Sequence, residues 1–207
     1  MLRVEDTVLV LLAAGRSERF GDLGSKLDEE FLGKPLGLRV AVTLQALPFH
    51  DRIAVTGKVQ VNYAALGYRA VANPDPAAGM ASSVRLGVAA AKARGAKAVL
   101  IALADMPRVT AAHVLRLYDA ANNGDTVVAS SDGRDTKPPA LFGADKFDFL
   151  LSLDGDEGAR DLVRAGRHVV TSPAELIDID TPDELEALRA LVHAPEALTR
   201  PGTRRLG

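Results

Sequence analysis

The chain has 207 residues, 47% of them hydrophobic, and 25 Lys plus Arg stand against 27 Asp plus Glu for a formal charge of −2. This length predicts one core, and the balanced charge gives no bulk attraction to nucleic acid or to a membrane surface; any bound anion must be held by a local site. With no cysteine, disulfides, thiolate zinc sites, Fe–S clusters and a cysteine nucleophile are excluded. Arg3, Glu5 and Asp6 precede the first short apolar run, unlike a signal peptide, and no window approaches the roughly 18 apolar residues of a membrane span. The expectation is a soluble cytoplasmic protein.

In chain order, apolar runs at 7–14, 53–56, 68–72, 99–103 and 126–129 read as strands. Their β-branched content without strict alternation predicts burial on both faces, as in a parallel sheet. Helical spacing covers 36–47 after Pro35, 82–93 with Ser82 as cap, and 110–122 with Thr110 as cap and Asn-Asn-Gly as a stop. Strand and helix alternate to about residue 130, which predicts a doubly wound α/β sheet. Residues 130–139 then read as a polar loop, because Pro138 and Pro139 cannot both sit in a central strand. A short strand at 140–142, helices at 144–152 and 158–165, and strands at 168–171 and 176–180 follow. The last helix starts at Thr181-Pro182-Asp183-Glu184 and runs to about 192, with 194–207 as a loose tail. The predicted organisation is one domain over 1–193, with a first half to about 130 and a second half over 131–193.

The strongest chemical signal is Leu12-Ala13-Ala14-Gly15-Arg16-Ser17-Glu18-Arg19-Phe20-Gly21 followed by Lys26. A small-residue turn past the first strand lets backbone N–H groups approach a phosphate chain, and Arg16, Arg19 and Lys26 add positive charge for a triphosphate. Neither G-x-G-x-x-G nor a Walker loop is present. In Asn73-Pro74-Asp75 through Gly79-Met80-Ala81-Ser82-Ser83, Gly79 permits close backbone approach and a serine hydroxyl can read a base edge. Asp105, in Ala104-Asp105-Met106-Pro107, stands at a strand's carboxyl end, where open α/β sheets bind ligands. Asp178 and Asp180 alternate onto one face of the expected final strand, and repel unless a cation bridges them or Asp180 caps the last helix. Gly155-Asp156-Glu157-Gly158-Ala159-Arg160 offers N–H groups and a guanidinium to a phosphate, or else forms a capped turn with Arg160 in a surface ion pair. His50, His113, His168 and His193 are scattered without metal-ligand spacing, and no G-x-S-x-G elbow anchors a hydrolase triad.

Taken in order, these motifs resemble the MobA-like nucleotidyltransferases, closest to the branch of molybdenum cofactor (molybdopterin) cytidylyltransferases. The likeness spans about residues 7–192 and rests on L-A-A-G-x-S-x-R-x-G with its lysine, G-M-x-x-S, the strand-end aspartate, Pro139 and Phe142 with G-D-x-G-A-R, and D-I-D-T-P. The gap of seven residues from Arg19 to Lys26 is longer than the family's usual one and closer to cytidylyltransferases of isoprenoid synthesis. Lys137-Pro138-Pro139 also replaces a more glycine-rich stretch. The resemblance implies a three-layer α/β/α fold of the nucleotide-diphospho-sugar transferase, Rossmann-like type. It implies transfer of CMP from CTP to a molybdopterin phosphate with release of pyrophosphate. Lys26, Arg19 and Asp105 would be catalytic, and Leu12, Ala13, Ala14, Gly15, Arg16, Ser17, Lys26, Gly79 and Ser83 would hold the nucleotide. Pro139, Phe142, Asp156 and Arg160 would face the acceptor, and Asp105 with Asp178 or Asp180 would hold Mg²⁺. CTP is preferred because Ala13-Ala14-Gly15 stands where guanine-selective relatives more often carry Gly-Gly. The alternatives are GTP, a sugar phosphate or other small phosphate as acceptor, or a non-catalytic delivery protein for molybdenum cofactor. The implied protein partner is a molybdenum hydroxylase or its maturation factor.

Overall fold

A computed structural model describes residues 1–15, 17, 20–21, 24–155 and 159–193. β1 (Thr7–Ala13) leads to a short ribbon of β2 (Glu30–Phe31) and β3 (Lys34–Pro35), then α1 (Leu38–Leu44), β4 (Asp51–Thr56) and β5 (Arg69–Ala72). α2 (Met80–Lys92), β6 (Ala98–Leu103), α3 (Ala111–Asp119), β7 (Val127–Ser131) and β8 (Thr136–Gly143) follow. α4 (Phe147–Leu151), α5 (Arg160–Ala165), β9 (Arg167–Val170) and α6 (Pro182–His193) come last. The main sheet has the order β5-β4-β1-β6-β8-β7-β9, and within it only β8 runs against its neighbours.

The alternation of β1 explains the layers. All seven of its residues are buried. Leu9, Leu11 and Ala13 pack on one face with Val40 and Leu44 of α1 and Val114 and Leu117 of α3. Val8, Val10 and Leu12 pack on the other with Val84 and Val88 of α2 and Phe147 and Leu150 of α4. Helices therefore cover both faces of a mostly parallel sheet, the predicted three-layer arrangement. A smaller cluster joins Phe20, Phe31 and Leu36 to Ile179, Leu185 and Leu188, so α6 returns to cover the ribbon beside the first loop.

Three local expectations are corrected. Residues 130–139 form a hairpin rather than a loop, and β8 carries both prolines between β6 and β7. The pairing shows how. Contact with β6 ends at Ile101 opposite Ala140, and the β7 register slips between Ala129–Ala140 and Ser130–Lys137. Pro138 and Pro139 thus occupy a bulge where no ladder N–H is needed, and the peptide between them is cis. The Ser130 hydroxyl donates to the Pro139 carbonyl at 2.7 Å, so it must accept from Nε2–H of buried His113, also at 2.7 Å. Burial lowers the pKa of that imidazole and favours its neutral form.

Residues 176–180 are not a strand. After a 3-10 turn at Pro173–Leu176 the segment crosses the carboxyl end of β6, and Ile179 N–H donates to the Asp105 carbonyl at 3.0 Å. Nor does Ser82 cap α2: the helix starts at Met80, with Gly79 as N-cap, and Ser82 donates back to the Gly79 carbonyl at 2.8 Å.

Close approach of α2 to the sheet depends on Gly87. A Cβ there would drive into Val10 Cγ1 and stand 3.3 Å from Val55 Cγ2. Gly87→Ala, although it raises helix propensity, is expected to destabilise the protein by about 1–3 kcal/mol through overpacking. A lower urea midpoint with an unchanged slope checks this; an unchanged or higher midpoint contradicts the packing.

Candidate active site

Lys26 is the centre of the site. Its backbone N–H donates to Ser17 Oγ at 3.0 Å, and it opens a 3-10 turn in which Ser25 Oγ accepts from the Leu27 N–H. Ser17 itself has φ of 52°, a conformation rare outside glycine. Although charged, Lys26 is only 6% exposed. Its ammonium meets Asp105 Oδ2 at 2.7 Å and Asp180 Oδ1 at 2.8 Å. Burial works to lower the lysine pKa, but the Asp105 and Asp180 carboxylates outweigh it and raise it above the ordinary value. Lys26 therefore stays cationic.

Asp105 sits two residues beyond β6, where its neighbour Ala104 N–H still bonds to the Leu12 carbonyl at 3.0 Å. Burial raises its pKa more than Lys26 lowers it, and the negative charges of Asp178 and Asp180 raise it further. Its second oxygen, Oδ1, is buried and has no hydrogen-bond partner among the described residues. A buried acceptor without a partner is costly unless a ligand satisfies it. Among the described residues no group of three or more His, Cys, Asp or Glu forms a ready metal cage. The orphaned Asp105 oxygen and nearby carboxylates do fit a hard divalent cation, which takes one or two carboxylates and completes its shell from phosphates and water.

Asp180 is released from capping duty by its neighbours. Thr181 Oγ1 accepts the Glu184 N–H at 3.2 Å, while the Glu184 carboxylate accepts the N–H groups of Asp180 and Thr181 at 2.7 and 2.8 Å. This capping box starts α6 and leaves the Asp180 side chain directed at Lys26. Asp178 goes elsewhere: its Oδ1 is 3.3 Å from Lys137 Nζ.

A cleft of about 270 Å³ opens beside Asp105, lined by Leu12, Ala14, Gly15, Gly79 and Ser83 among others. It adjoins a lobe of about 560 Å³ that shares Ala14, Gly15 and Pro76. Together they have the scale of a small-ligand site. Gly79, at φ 83° and ψ −178°, holds a conformation open to glycine and places the start of α2 at the cleft. Ser83 is aimed by Asn73, whose Nδ2 donates to Ser82 Oγ at 2.8 Å and to Ser83 Oγ at 2.9 Å. Asn73 is buried, and its Oδ1 accepts the Asp75 N–H at 2.9 Å, so it acts as a fixed bracket. The N-P-D signature before the helix was the available clue.

The other predicted residues separate. Leu12, Ala14, Gly15, Gly79, Ser83 and Asp105 line one cleft, whereas Ala13 turns into the core and its carbonyl accepts the Gly57 N–H at 3.4 Å. Ser17 braces Lys26 through its hydroxyl. Phe142 is not at the site. Because β8 is antiparallel, Phe142 pairs with Val99 near the amino end of β6, where it is 2% exposed in the core. Pro139 is buried in the bulge, where its carbonyl accepts the Ser130 hydroxyl. Arg160 is exposed at the start of α5. Arg16, Arg19, Asp156 and the 194–207 tail lie outside the described residues.

The comparisons with known proteins agree with this geometry. A model of the MobA-like NTP transferase domain matches residues 9–170. The purine catabolism protein PucB of Bacillus subtilis is 32% identical over 200 residues, covering 87% of this chain and 94% of PucB. A phosphoenolpyruvate guanylyltransferase of Conexibacter woesei is 30% identical over 169 residues, 78% of this chain and 76% of that protein. Among solved structures, Rv0371c of Mycobacterium tuberculosis superposes with a TM-score of 0.70 at 27% identity, covering 88% of this chain and 97% of its own; it has also been solved in complex with manganese. A nucleotidyl transfer fold thus meets a lysine held between strand-end and loop carboxylates beside a nucleotide-sized cleft, and the chain belongs to the MobA-like NTP transferase family as a nucleotidyltransferase.

Proposed function

We propose that the protein transfers CMP from CTP to the phosphate of molybdopterin in a Mg²⁺-dependent reaction. The observation that carries the transfer chemistry is the Lys26 ammonium fixed at 2.7 Å from Asp105 and 2.8 Å from Asp180, at the edge of the cleft. The choice of CTP rests on the Ala13-Ala14-Gly15 turn. An oxygen of the acceptor phosphate attacks the α-phosphorus; the bond from that phosphorus to the β-phosphate bridging oxygen breaks, and pyrophosphate leaves with the bond pair. The attacking oxygen is already anionic, so positioning and charge neutralisation suffice without a strong base.

Gly15 and the start of α2 border the nucleotide, Ser83 meets its base edge, and Asn73 keeps Ser83 in place. Lys26, with Arg16 and Arg19, balances the charge that shifts toward pyrophosphate. Asp105 with Asp180, or with Asp178, would hold Mg²⁺, which when bound neutralises and aligns the phosphates. The nucleotide-binding half is taken as 1–130 and the acceptor half as 131–193, with Arg160 and Asp156 toward the acceptor. No helix among the described residues is long and apolar enough to cross a membrane. A cytoplasmic enzyme feeding a molybdenum hydroxylase or its maturation factor is the setting we propose.

A second reading, GMP transfer from GTP to a small phosphate, is favoured by one observation, the guanylyltransferase among the relatives. Pyrophosphate release with molybdopterin and each triphosphate in turn separates the two: the proposal expects CTP to be preferred, and a clear preference for GTP overturns that choice. Asp105→Asn is expected to lower kcat by about 10²–10³-fold, with circular dichroism unchanged. Near-normal turnover of this variant would reject the assigned role. Because the Asp105 acid is held above the ordinary carboxylate value, protons should compete with metal there at a higher pH than at a solvated aspartate. Manganese affinity followed by electron paramagnetic resonance should therefore fall as pH drops toward the acid range, and Asp105→Asn should abolish that dependence. A flat profile in the wild-type protein contradicts it.

A further inference from the structure

We propose that His113 is a positioning residue: while neutral it holds the crossing segment 176–180, and with it the cluster of Lys26, Asp105 and Asp180, and its protonation loosens that hold. The transfer chemistry itself uses no residue of α3. His113 stands on α3 and is 1% exposed. The Ser130 hydroxyl gives its proton to the Pro139 carbonyl, so it accepts Nε2–H of His113, at 2.7 Å. Nδ1 of the same ring is buried and has no hydrogen-bond partner among the described residues. The ring is therefore the neutral tautomer with its proton on Nε2. A second proton would put a charge and an unpartnered N–H donor into the core.

Two tethers run from His113 to the crossing segment. The first passes through β8. The bond from Ser130 to the Pro139 carbonyl spans the bulge, whose register puts Lys137 opposite Ser130. Lys137 Nζ then lies 3.5 Å from the Leu176 carbonyl and 3.3 Å from Asp178 Oδ1. The second tether passes through the start of α3. Thr110 Oγ1 accepts the His113 backbone N–H at 3.1 Å and donates to Glu175, whose other carboxylate oxygen accepts from Thr171. Glu175 directly precedes buried Leu176. Beyond Leu176, Ile179 N–H bonds the Asp105 carbonyl and Asp180 meets Lys26. His113 thus joins both anchors of the segment that completes the ion cluster.

The charges around the ring set the direction of its response. Burial lowers its pKa; Glu175, from the 3-10 turn at 173–176, works the other way, and Arg116 of its own helix adds to the lowering. From β7 and β8 the ring meets the uncharged Ser130 hydroxyl and, behind it, the Pro139 carbonyl, with Lys137 farther along β8. The closed arrangement is therefore fully favoured above the ordinary imidazole value of about 6.5. It loses ground to a protonated, opened one as pH falls below that value. Glu175 keeps its charge in this range: burial works to raise its pKa, but hydrogen bonds from Thr110 and Thr171 lower it overall. A protonated ring draws on that carboxylate, so both tethers change together.

The test follows the ¹³C,¹⁵N-labelled full chain by NMR from about pH 7.5 to about pH 5. The His113 ring carbons should titrate below the ordinary imidazole range, and the amides of 137, 176 and 179 should move with the same midpoint. His113→Gln can still donate to Ser130 from Nε2 but takes up no proton. It should keep the neutral-pH shifts of these amides and remove their titration. His113→Leu, with no donor, should displace the same amides already at neutral pH; if it fails to fold, the glutamine comparison decides. With saturating Mg²⁺, wild-type kcat for pyrophosphate release from CTP and molybdopterin should fall by up to about tenfold per pH unit below the midpoint. That of His113→Gln should stay level over the same window. The proposal is overturned by a His113 titration that the three amides do not follow, by one that survives in His113→Gln, or by unmoved amides in His113→Leu. A level wild-type kcat while the ring titrates overturns it as well. Absence of any turnover with CTP and molybdopterin would count against that substrate reading alone, since the amide titration is read without them.

Discussion

A buried ammonium that must be matched by carboxylates organises this molecule. Moving Lys26 out of water is unfavourable by itself, and the site is stable only because Asp105 and Asp180 meet it at 2.7 and 2.8 Å. The three groups come from distant parts of the chain: Lys26 from a loop after the first strand, Asp105 from the end of the fourth main-sheet strand and Asp180 from the approach to the last helix. The ion cluster therefore closes only when the sheet has formed and α6 has docked. Burial, with the negative charges of Asp178 and Asp180, raises the Asp105 acid while Lys26 is held charged.

The fold delivers these groups through ordinary local devices. Parallel strands set Asp105 at a carboxyl edge, and Ile179, buried against Leu185 and Leu188, pins the crossing segment while donating its N–H to the Asp105 carbonyl. A Thr181–Glu184 capping box then satisfies the start of α6 without using Asp180. At the cleft, Asn73 performs the equivalent task for Ser83. In each case a neighbouring residue satisfies backbone or hydroxyl groups so that the side chain facing the site is left in position.

How much of this was legible in the sequence depends on the range of the interaction. The three layers follow from apolar runs alone, because two-faced burial of β1 leaves a continuous hydrophobic signature in 7–13. Lys26 and Asp105 were both visible as candidates, one by its loop and the other by its strand end, but their mutual contact is tertiary and leaves no local trace. The prolines misled: they do exclude a regular central ladder, and only the slipped pairing with β7 shows that a bulge makes room for them. Phe142 misled for a similar reason, since its place follows from the antiparallel direction of β8 rather than from the motif around it. Alternation at 176–180 suggests a strand, but the same apolar anchors serve an extended crossing that pairs with no strand among the described residues. The capping box is legible as T-x-x-E at Thr181 and Glu184, which makes Thr181 rather than Asp180 the cap.

The most direct test of the central claim is a crystal structure with CTP and Mg²⁺ bound. The account predicts phosphate oxygens within hydrogen-bond distance of Lys26 Nζ, metal on Asp105 Oδ1, and the base beside Ser83. A nucleotide bound away from this cleft, or one that leaves Lys26 bonded only to its two carboxylates and Asp105 Oδ1 still without a partner, would contradict it.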